Sequence, residues 1–433
     1  MSRFTTVLPS ARKLMSSLRD IGYDLPSAIA DLVDNSIDAG AENIEVTLGE
    51  EGANSWIRIV DDGMGMTPHQ LDEAMRYGSQ RTYSSSALGH FGLGLKTGSL
   101  SQCRRLTVAS RRRRNSSLAV RRWDLDLVAE RDSWDLDTPP RKELPAQLLD
   151  PLRGGAGTVV LWERLDRVLA FRNPDGAATR RALANMATEV ADHLGMVFHR
   201  FITGEWADGD AFVSITVNET PVTAWDPFAR EELRTRVLPR QMIELTTEEG
   251  EVATLGVQPY VLPSQSLFSS PEAHQVAAGP NRWNRQQGFY VYRRDRMIQS
   301  GGWNRIRTMD EHAKLARIAI DLPPGHEELF GINVAKMSIV IPEAARASLR
   351  TIASAVVQQA QWSYREHLDR TGGPVGAATP PRSQTHPAES GNGSEGPSIS
   401  GDWPLIMRTV SEALRDDPPR RDDLLTRLVN AFE

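Results

Sequence analysis

PSAIADLVDNSIDA, residues 26–39, carries two faces at helical spacing. Ile29, Leu32, Val33 and Ile37 recur at steps of three and four, which makes an apolar stripe. Pro26 suits a first helical turn, where its missing N–H is not needed. Gly40 supplies a stop. The opposite face carries Asp31, Asn35 and Asp38 at i, i+4 and i+7. Three short oxygen-bearing side chains on one stripe can hold a divalent cation with its waters, or orient a water molecule. A solvated polar face would look the same, and for a single helix that is the commoner meaning.

Outward from this helix the chain alternates strands and helices. Ile44, Val46 and Leu48 alternate as a strand does, and SWIRIVDDG (55–63) reads as a second strand running into a glycine turn. Residues 67–78 look helical. Short strands follow at 105–110, 117–125 and 158–163, and a helix over 180–202 closes the group. This mixture predicts an α/β (α+β) sandwich over the first 200 residues. A second set of strands reads at FVSITVN (212–218), GFYVYRRDRMIQ (288–299) and LARIAIDL (315–322), before a long helix from Pro342 to about Arg370. Gly, Pro and Ser dominate 371–400, a composition that cannot bury a core. The expected organisation is an N-terminal arm (1–25), a first domain (26–205), a second domain (206–370), a disordered linker (371–401) and a short helical tail (402–433).

The bulk numbers narrow the function classes. The chain has 433 residues, more than one core usually serves, and 40% of them are hydrophobic. A net charge of −6 argues against a uniformly basic, nucleic-acid-coating surface. Local basic clusters remain: SRRRR (110–114), Arg121–Arg122 and Arg180–Arg181, balanced by the acidic stretch at 123–137. Cys103 is the single cysteine, so no internal disulfide can form and a reducing compartment fits. The N-terminus lacks the apolar core of a signal peptide, and no apolar run of about 18 residues occurs. A cytoplasmic protein without a membrane partner is expected.

Two further motifs bear on chemistry. IVDDGMGM (59–66) ends a strand with a carboxylate beside a flexible turn, where an acceptor can read an exocyclic amine such as that of adenine. Asp-Gly turns are common, so this alone is weak. GHFGLGLKTGS (89–99) has the pattern G-x-x-G-x-G-x-K-x-G. Gly89, Gly92, Gly94 and Gly98 let backbone N–H groups face one concavity, a nest for an anion, and Lys96 can add a point charge. If GLKTGSLSQC begins a helix, its positive end faces the same anion. The spacing is not that of a Walker P-loop.

Taken in order, D-x-x-x-N-x-x-D-A on a helix, D-x-G-x-G after a strand and then G-x-x-G-x-G-x-K resemble the GHKL ATPase superfamily. That superfamily includes DNA gyrase, the large heat-shock chaperone, MutL mismatch-repair proteins, MORC proteins and histidine kinases. GAGTVVLWERL (155–165) looks like the late strand whose threonine, here Thr158, joins the adenine site through water. The resemblance implies a Bergerat-type ATP-binding sandwich followed by a transducer-like (ribosomal S5-like) α/β domain, for which GFYVYRRDRMIQ and FGINVAKMSIVIP (330–342) are the matching segments. It implies that Asn35 ligates Mg²⁺ between the phosphates of ATP. Asp61 would bind the adenine amine, with Gly63, Gly65 and Met66 shaping the base pocket. Gly89, His90, Phe91, Gly92, Leu93, Gly94, Leu95 and Lys96 would form the lid and phosphate cradle. Lys336, in INVAK, matches the lysine that reaches the γ-phosphate from the second domain.

One position departs from the pattern. Gyrase, MutL, MORC proteins and the chaperone carry glutamate four residues before the asparagine, as the general base. Here that position is Asp31, shorter by about 1.5 Å. General-base catalysis depends first on geometry. A shifted helix or a second water restores the reach, or hydrolysis is slow. Histidine kinases need a phosphoacceptor histidine in a helical pair, which nothing before residue 26 supplies. EELRTR (231–236) only echoes such a box and reads as a charged helix.

The glycine loop looks most like MORC proteins. That resemblance implies a homodimer on ATP binding with exchange of residues 1–25, and an output through clamped DNA or a recruited nuclease or helicase. Prokaryotic relatives of this branch are associated with restriction and anti-phage defence. The rival readings are a module that binds ATP without turnover and a chaperone for client proteins.

Overall fold

The computed structural model describes residues 9–371 apart from 21–22, 79–87, 89–93, 170–172, 207–211, 248–249 and 332–338. The linker and tail expectations lie outside the described residues, as does the arm before residue 9. Everything described belongs to one unit, Met1–Pro374.

Among the described residues, the first sheet has seven strands in the order β4-β3-β5-β2-β1-β6-β7. They are β1 (Asn43–Gly49), β2 (Trp56–Asp61), β3 (Arg105–Arg111), β4 (Ala119–Asp124), β5 (Gly157–Glu163), β6 (Ser214–Val217) and β7 (Thr220–Pro221). All pairs are antiparallel except β1 with β6. Ile44, Val46 and Leu48 point to the helical layer and are buried, as the alternation predicts. That layer is built from α1 (Ala11–Arg19), α2 (Leu25–Asp38), α3 (Pro68–Met75), α4 (Gly94–Gln102), α5 (Leu125–Arg131) and α7 (Ala177–Val197). The single turn α6 (Ala146–Leu149) helps cover the other face, where Leu148, Leu152, Val159 and Leu161 form a smaller apolar cluster. A further turn, α8 (His199–Ile202), leads away from α7.

Helix α2 forms where its local signals place it. Asp24 caps it, accepting from the Ser27 N–H at 2.8 Å. Ile29 and Val33 are fully buried, and the helix packs against α4 and α7. The FVSITVN strand departs from expectation. It joins the first sheet as β6, parallel to β1, instead of opening the second group. Parallel pairing is between segments far apart in sequence and leaves no local trace.

Among the described residues, the second sheet has six strands in the order β12-β11-β13-β10-β8, with β9 also on β10. They are β8 (Arg236–Val237), β9 (Gln241–Thr246), β10 (Val252–Val261), β11 (Gly288–Arg293), β12 (Arg296–Ser300) and β13 (Ala316–Asp321). α9 (Pro271–Ala278) and α10 (Arg282–Arg285) flank it, and α11 (Glu343–Thr371) packs on β10 and β13. GFYVYRRDRMIQ is a hairpin rather than one strand, turning at Arg294 and Asp295 with φ of 49° and 64°. Gly256 and Pro259 obscured β10, because both count against a strand interior. EELRTR forms turns and a bend up to Arg234, and Arg236 opens β8, so it is not a helix. It has no apolar face: Leu233 is fully exposed, and Thr235 and Glu232 are tied instead to Ala229 and Ser269.

Candidate active site

Strand register builds one half of the site. Ser110 on β3 lies opposite Thr158 on β5, and Thr158 lies opposite Asp61 on β2, so three polar residues make a row across adjacent strands. Asp61 is 7% exposed. Its Oδ1 accepts from the Gly63 N–H at 3.0 Å and the Thr158 N–H at 3.2 Å. Its Oδ2 accepts from Ser36 Oγ on α2 at 3.2 Å. A carboxylate offers about four lone-pair positions, so these bonds leave room for one more donor. Burial pushes the Asp61 pKa up to about 6 in spite of those three bonds. Thr158 Oγ1 and Ser110 Oγ are 3.0 Å apart, and the Met66 N–H donates to Ser110 Oγ at 2.8 Å. The DDGMG turn is thereby fastened to β3. Gly65 has φ +61°, and a Cβ there would lie 2.1 Å from the Arg111 carbonyl oxygen. Only glycine fits that approach.

Helix α2 supplies the other half. Asn35 and Asp38 are exposed, but Asp31 is 3% exposed, so the stripe is not a simple solvated face. Asp31 Oδ2 accepts from the Tyr23 hydroxyl at 3.0 Å. Burial and the facing Asp31 charge hold the Tyr23 phenol well above its ordinary pKa, so it stays a donor. Helix α4 begins at Gly94 as the GLKTG pattern suggests, and a Cβ on Gly94 would lie 2.9 Å from Asp31 Oδ2. The positive end of α4 therefore abuts the Asp31 carboxylate. Leu95 is half-buried in the first turn. Lys96 is 1% exposed and donates to the Ala74 carbonyl at 2.9 Å, 5.9 Å from the centre of the Tyr77 ring. Burial brings its pKa down to about 8. Contact with a phosphate requires that ammonium to leave Ala74. Gly89, His90, Phe91, Gly92, Leu93 and Lys336 lie outside the described residues.

The residues present suit the base of a nucleotide, with Asn35 the one oxygen donor placed to meet a cation carried by its phosphates. A buried acceptor with one open position suits an exocyclic amine, and Asn35 carries an exposed amide oxygen one helical turn from Asp31. Several participants were not singled out from sequence. Ser36 and Ser110 are ordinary hydroxyls until register brings them to Asp61 and Met66. Asp34 is fully buried and accepts from Arg296 Nε of β12 at 2.7 Å. The basic clusters separate: Arg112, Arg113 and Arg114 are exposed, whereas Arg121 pairs with Asp72 and Arg122 is buried against Thr107. Trp123 and Trp134 are packing anchors, edge-on to one another and to Tyr77.

Residues 23–155 match the family of histidine kinase-, DNA gyrase B- and HSP90-like ATPases. The DNA mismatch repair protein MutL of Rhodospirillum rubrum is 37% identical over 89 residues, 20% of this chain and 14% of that protein. ATPase morc-1 of Caenorhabditis elegans is 24% identical over 173 residues, 33% of this chain and 20% of that protein. MORC family CW-type zinc finger protein 1 of Homo sapiens is 35% identical over 78 residues, 17% of this chain and 8% of that protein. The matched segments thus span 20% or less of these relatives' own lengths. The crystal structure of the N-terminal domain of a DNA repair protein superposes with a TM-score of 0.43 and 17% identity, over 83% of this chain and 98% of that one. Residues 23–155 carry an ATPase-type domain of the GHKL superfamily, with MutL-like and MORC-like motifs. No helix among the described residues is long and apolar enough to cross a membrane.

Proposed function

We propose that this chain is an ATP-hydrolysing switch of the MutL and MORC kind. The observation that carries the reading is a pair of buried carboxylates in different settings. Asp61 sits at the end of β2 with an acceptor position open, and Asp31 sits on α2 against the start of α4. Asp61 would take the adenine amine, with Thr158 and Ser110 holding the edge of the base site. Gly63, Gly65 and Met66 would line the pocket. Asn35 would hold Mg²⁺, which when bound supplies charge neutralisation to the phosphates. Residues 89–96 would close over them and Lys336 would reach the terminal phosphate. Asp31, oriented by the Tyr23 hydroxyl, would take a proton from the water that attacks the γ-phosphorus as ADP leaves.

The output we propose is ATP-dependent pairing of two chains, with DNA held between them or a nuclease or helicase partner recruited, in restriction or anti-phage defence. Exposed Arg112, Arg113 and Arg114 are the residues that would meet phosphate. In the single chain, α1 is docked on its own domain: Arg19 Nε donates to the Leu100 carbonyl at 2.6 Å and pairs with Asp166. Exchange of the arm between chains would break those bonds.

The test is phosphate release from ATP and Mg²⁺ by the wild type, Asn35→Ala and Asp31→Asn, with and without DNA. Loss of turnover in both variants, with ATP binding retained in Asp31→Asn, is the expected result. A second reading, a nucleotide-gated module without turnover, is favoured by the shortness of Asp31 and its engagement by Tyr23. Wild-type protein that binds ATP through Asn35 but releases no phosphate would establish that second reading.

A further inference from the structure

The hairpin β11–β12 ends in Arg293-Arg294-Asp295-Arg296, and side chains of this tip leave their own sheet. Arg293 donates to the Leu88 carbonyl at 2.8 Å, immediately before the glycine loop. Asp295 accepts from Arg200 of α8 at 2.9 Å. Arg296, 4% exposed, bonds Asp34 at 2.7 Å, and its guanidinium lies 3.8 Å from Asp31 Oδ1. The turn itself is strained, because Arg294 and Asp295 both adopt left-handed φ without being glycine. Such strain persists where the surroundings over-determine it, and it gathers at functional places.

Asp31 and Asp34 are both buried and one helical turn apart. Two carboxylates taken out of water need a donor between them, and Arg296 is placed there. The flat guanidinium fork can serve two carboxylates, where an ammonium would act as a point charge. We propose that Arg296 is a positioning residue for hydrolysis: anchored on Asp34, it holds the Asp31 carboxylate in its working orientation, so that the water-activating group is assembled only while the hairpin is seated on α2. The inference rests on Asp31 being the base. The same hairpin grips the root of the glycine loop through Arg293, and the Leu88 N–H bonds Asp38 of α2 at 2.8 Å. Movement of the second sheet is therefore felt at base and loop together. A cleft of about 560 Å³ lies beside Arg296, lined by Ser27, His193 and Met297.

The test compares ATP affinity, kcat and melting temperature in the wild type, Arg296→Gln, Arg296→Lys and the double variant Asp34→Asn/Arg296→Gln. Arg296→Gln is expected to lower kcat about 100-fold, the scale of an ångström misplacement, with ATP affinity within about twofold. Arg296→Lys should recover part of the rate, since charge returns without the fork. The double variant replaces the ion pair by a neutral hydrogen-bonding pair. It should melt near the wild-type temperature and still hydrolyse as slowly as Arg296→Gln. Turnover restored in the double variant would mean that Arg296 merely compensates Asp34, and the inference falls. It falls equally if kcat is unchanged in Arg296→Gln, or if affinity drops as far as kcat. Wild-type protein without turnover removes the hydrolytic reading and this inference together. Active wild type with an unaffected Arg296→Gln removes only the inference.

Discussion

Asp61 is the residue whose chemistry carries the clearest signature. Its folded-state pKa of about 6 stands above the unfolded value of about 3.9. The ligand-free fold therefore prefers the protonated form. That contribution is complete below about pH 4 and is lost as pH rises through about 6. A rise from about 4 to about 6 corresponds to roughly 2–3 kcal/mol. Asp61→Asn should flatten this limb of the stability profile and leave the free protein as stable as the wild type, or more so, at pH 7. Urea unfolding across pH 4–7 measures it. Nucleotide binding runs the other way, because an amine needs the carboxylate as acceptor. ATP affinity should fall as pH drops through about 6 in the wild type, and be weak and flat with pH in Asp61→Asn. Affinity that holds at pH 5 would argue against Asp61 as the base-reading group.

At the scale of elements, the site depends on how closely turns and helices approach one another. The DDGMG turn is pressed against the end of β3, with the Met66 N–H on Ser110 and Gly65 against the Arg111 carbonyl. Gly65→Ala forces a methyl to within 2.1 Å of a backbone oxygen at φ +61°. Left-handed backbone alone costs about 1–2 kcal/mol, so the total should exceed roughly 2 kcal/mol. The denaturation midpoint should fall with little change in slope. An unchanged midpoint would mean that the turn and β3 are not held together in solution. Gly94 plays the matching part on α4, where the approach is to a side chain, Asp31, and the helix N-terminus faces a carboxylate. A methyl at Gly94 would be felt in turnover before stability, since Asp31 can shift aside.

Across the whole molecule, one apolar core runs through both sheets, and part-buried charges sit on it where they meet. Arg200 of α8 lies over the Tyr292 ring at 3.5 Å and bridges Asp295 at 2.9 Å and Asp321 at 2.7 Å. His199 Nε2 and the Tyr292 hydroxyl are 2.9 Å apart, and burial lowers the His199 pKa to about 3, so the ring is neutral there. Arg200→Met keeps a packed stem but takes one partner from Asp295 and one from Asp321, which also pairs with Arg240 at 3.2 Å, and removes the cation from the ring, at a cost of about 1–3 kcal/mol. If this seam couples the sheets, calorimetry should show one transition in the wild type and two in Arg200→Met. A single transition merely shifted to lower temperature would place the coupling elsewhere.

Much of the site was legible because its signals are local. Pro26 in the first turn, the apolar stripe of Ile29, Leu32 and Val33, and the Asp-Asp-Gly-Met-Gly turn all act within a few residues, so propensity and spacing expose them. Asp31, Asn35 and Asp38 share a face because helical geometry allows nothing else. The sequence alone therefore determined α2, the end of β2, the start of α4 and the candidate carboxylates on them. Tertiary structure decided what surrounds those carboxylates. Ser110 and Thr158 reach Asp61 through strand register, and register is a property of pairings between distant segments. Arg296 meets Asp34 across 262 positions of chain. No periodicity marks such a pair, since each partner looks like an ordinary surface charge until the hairpin folds onto α2 and takes both out of water.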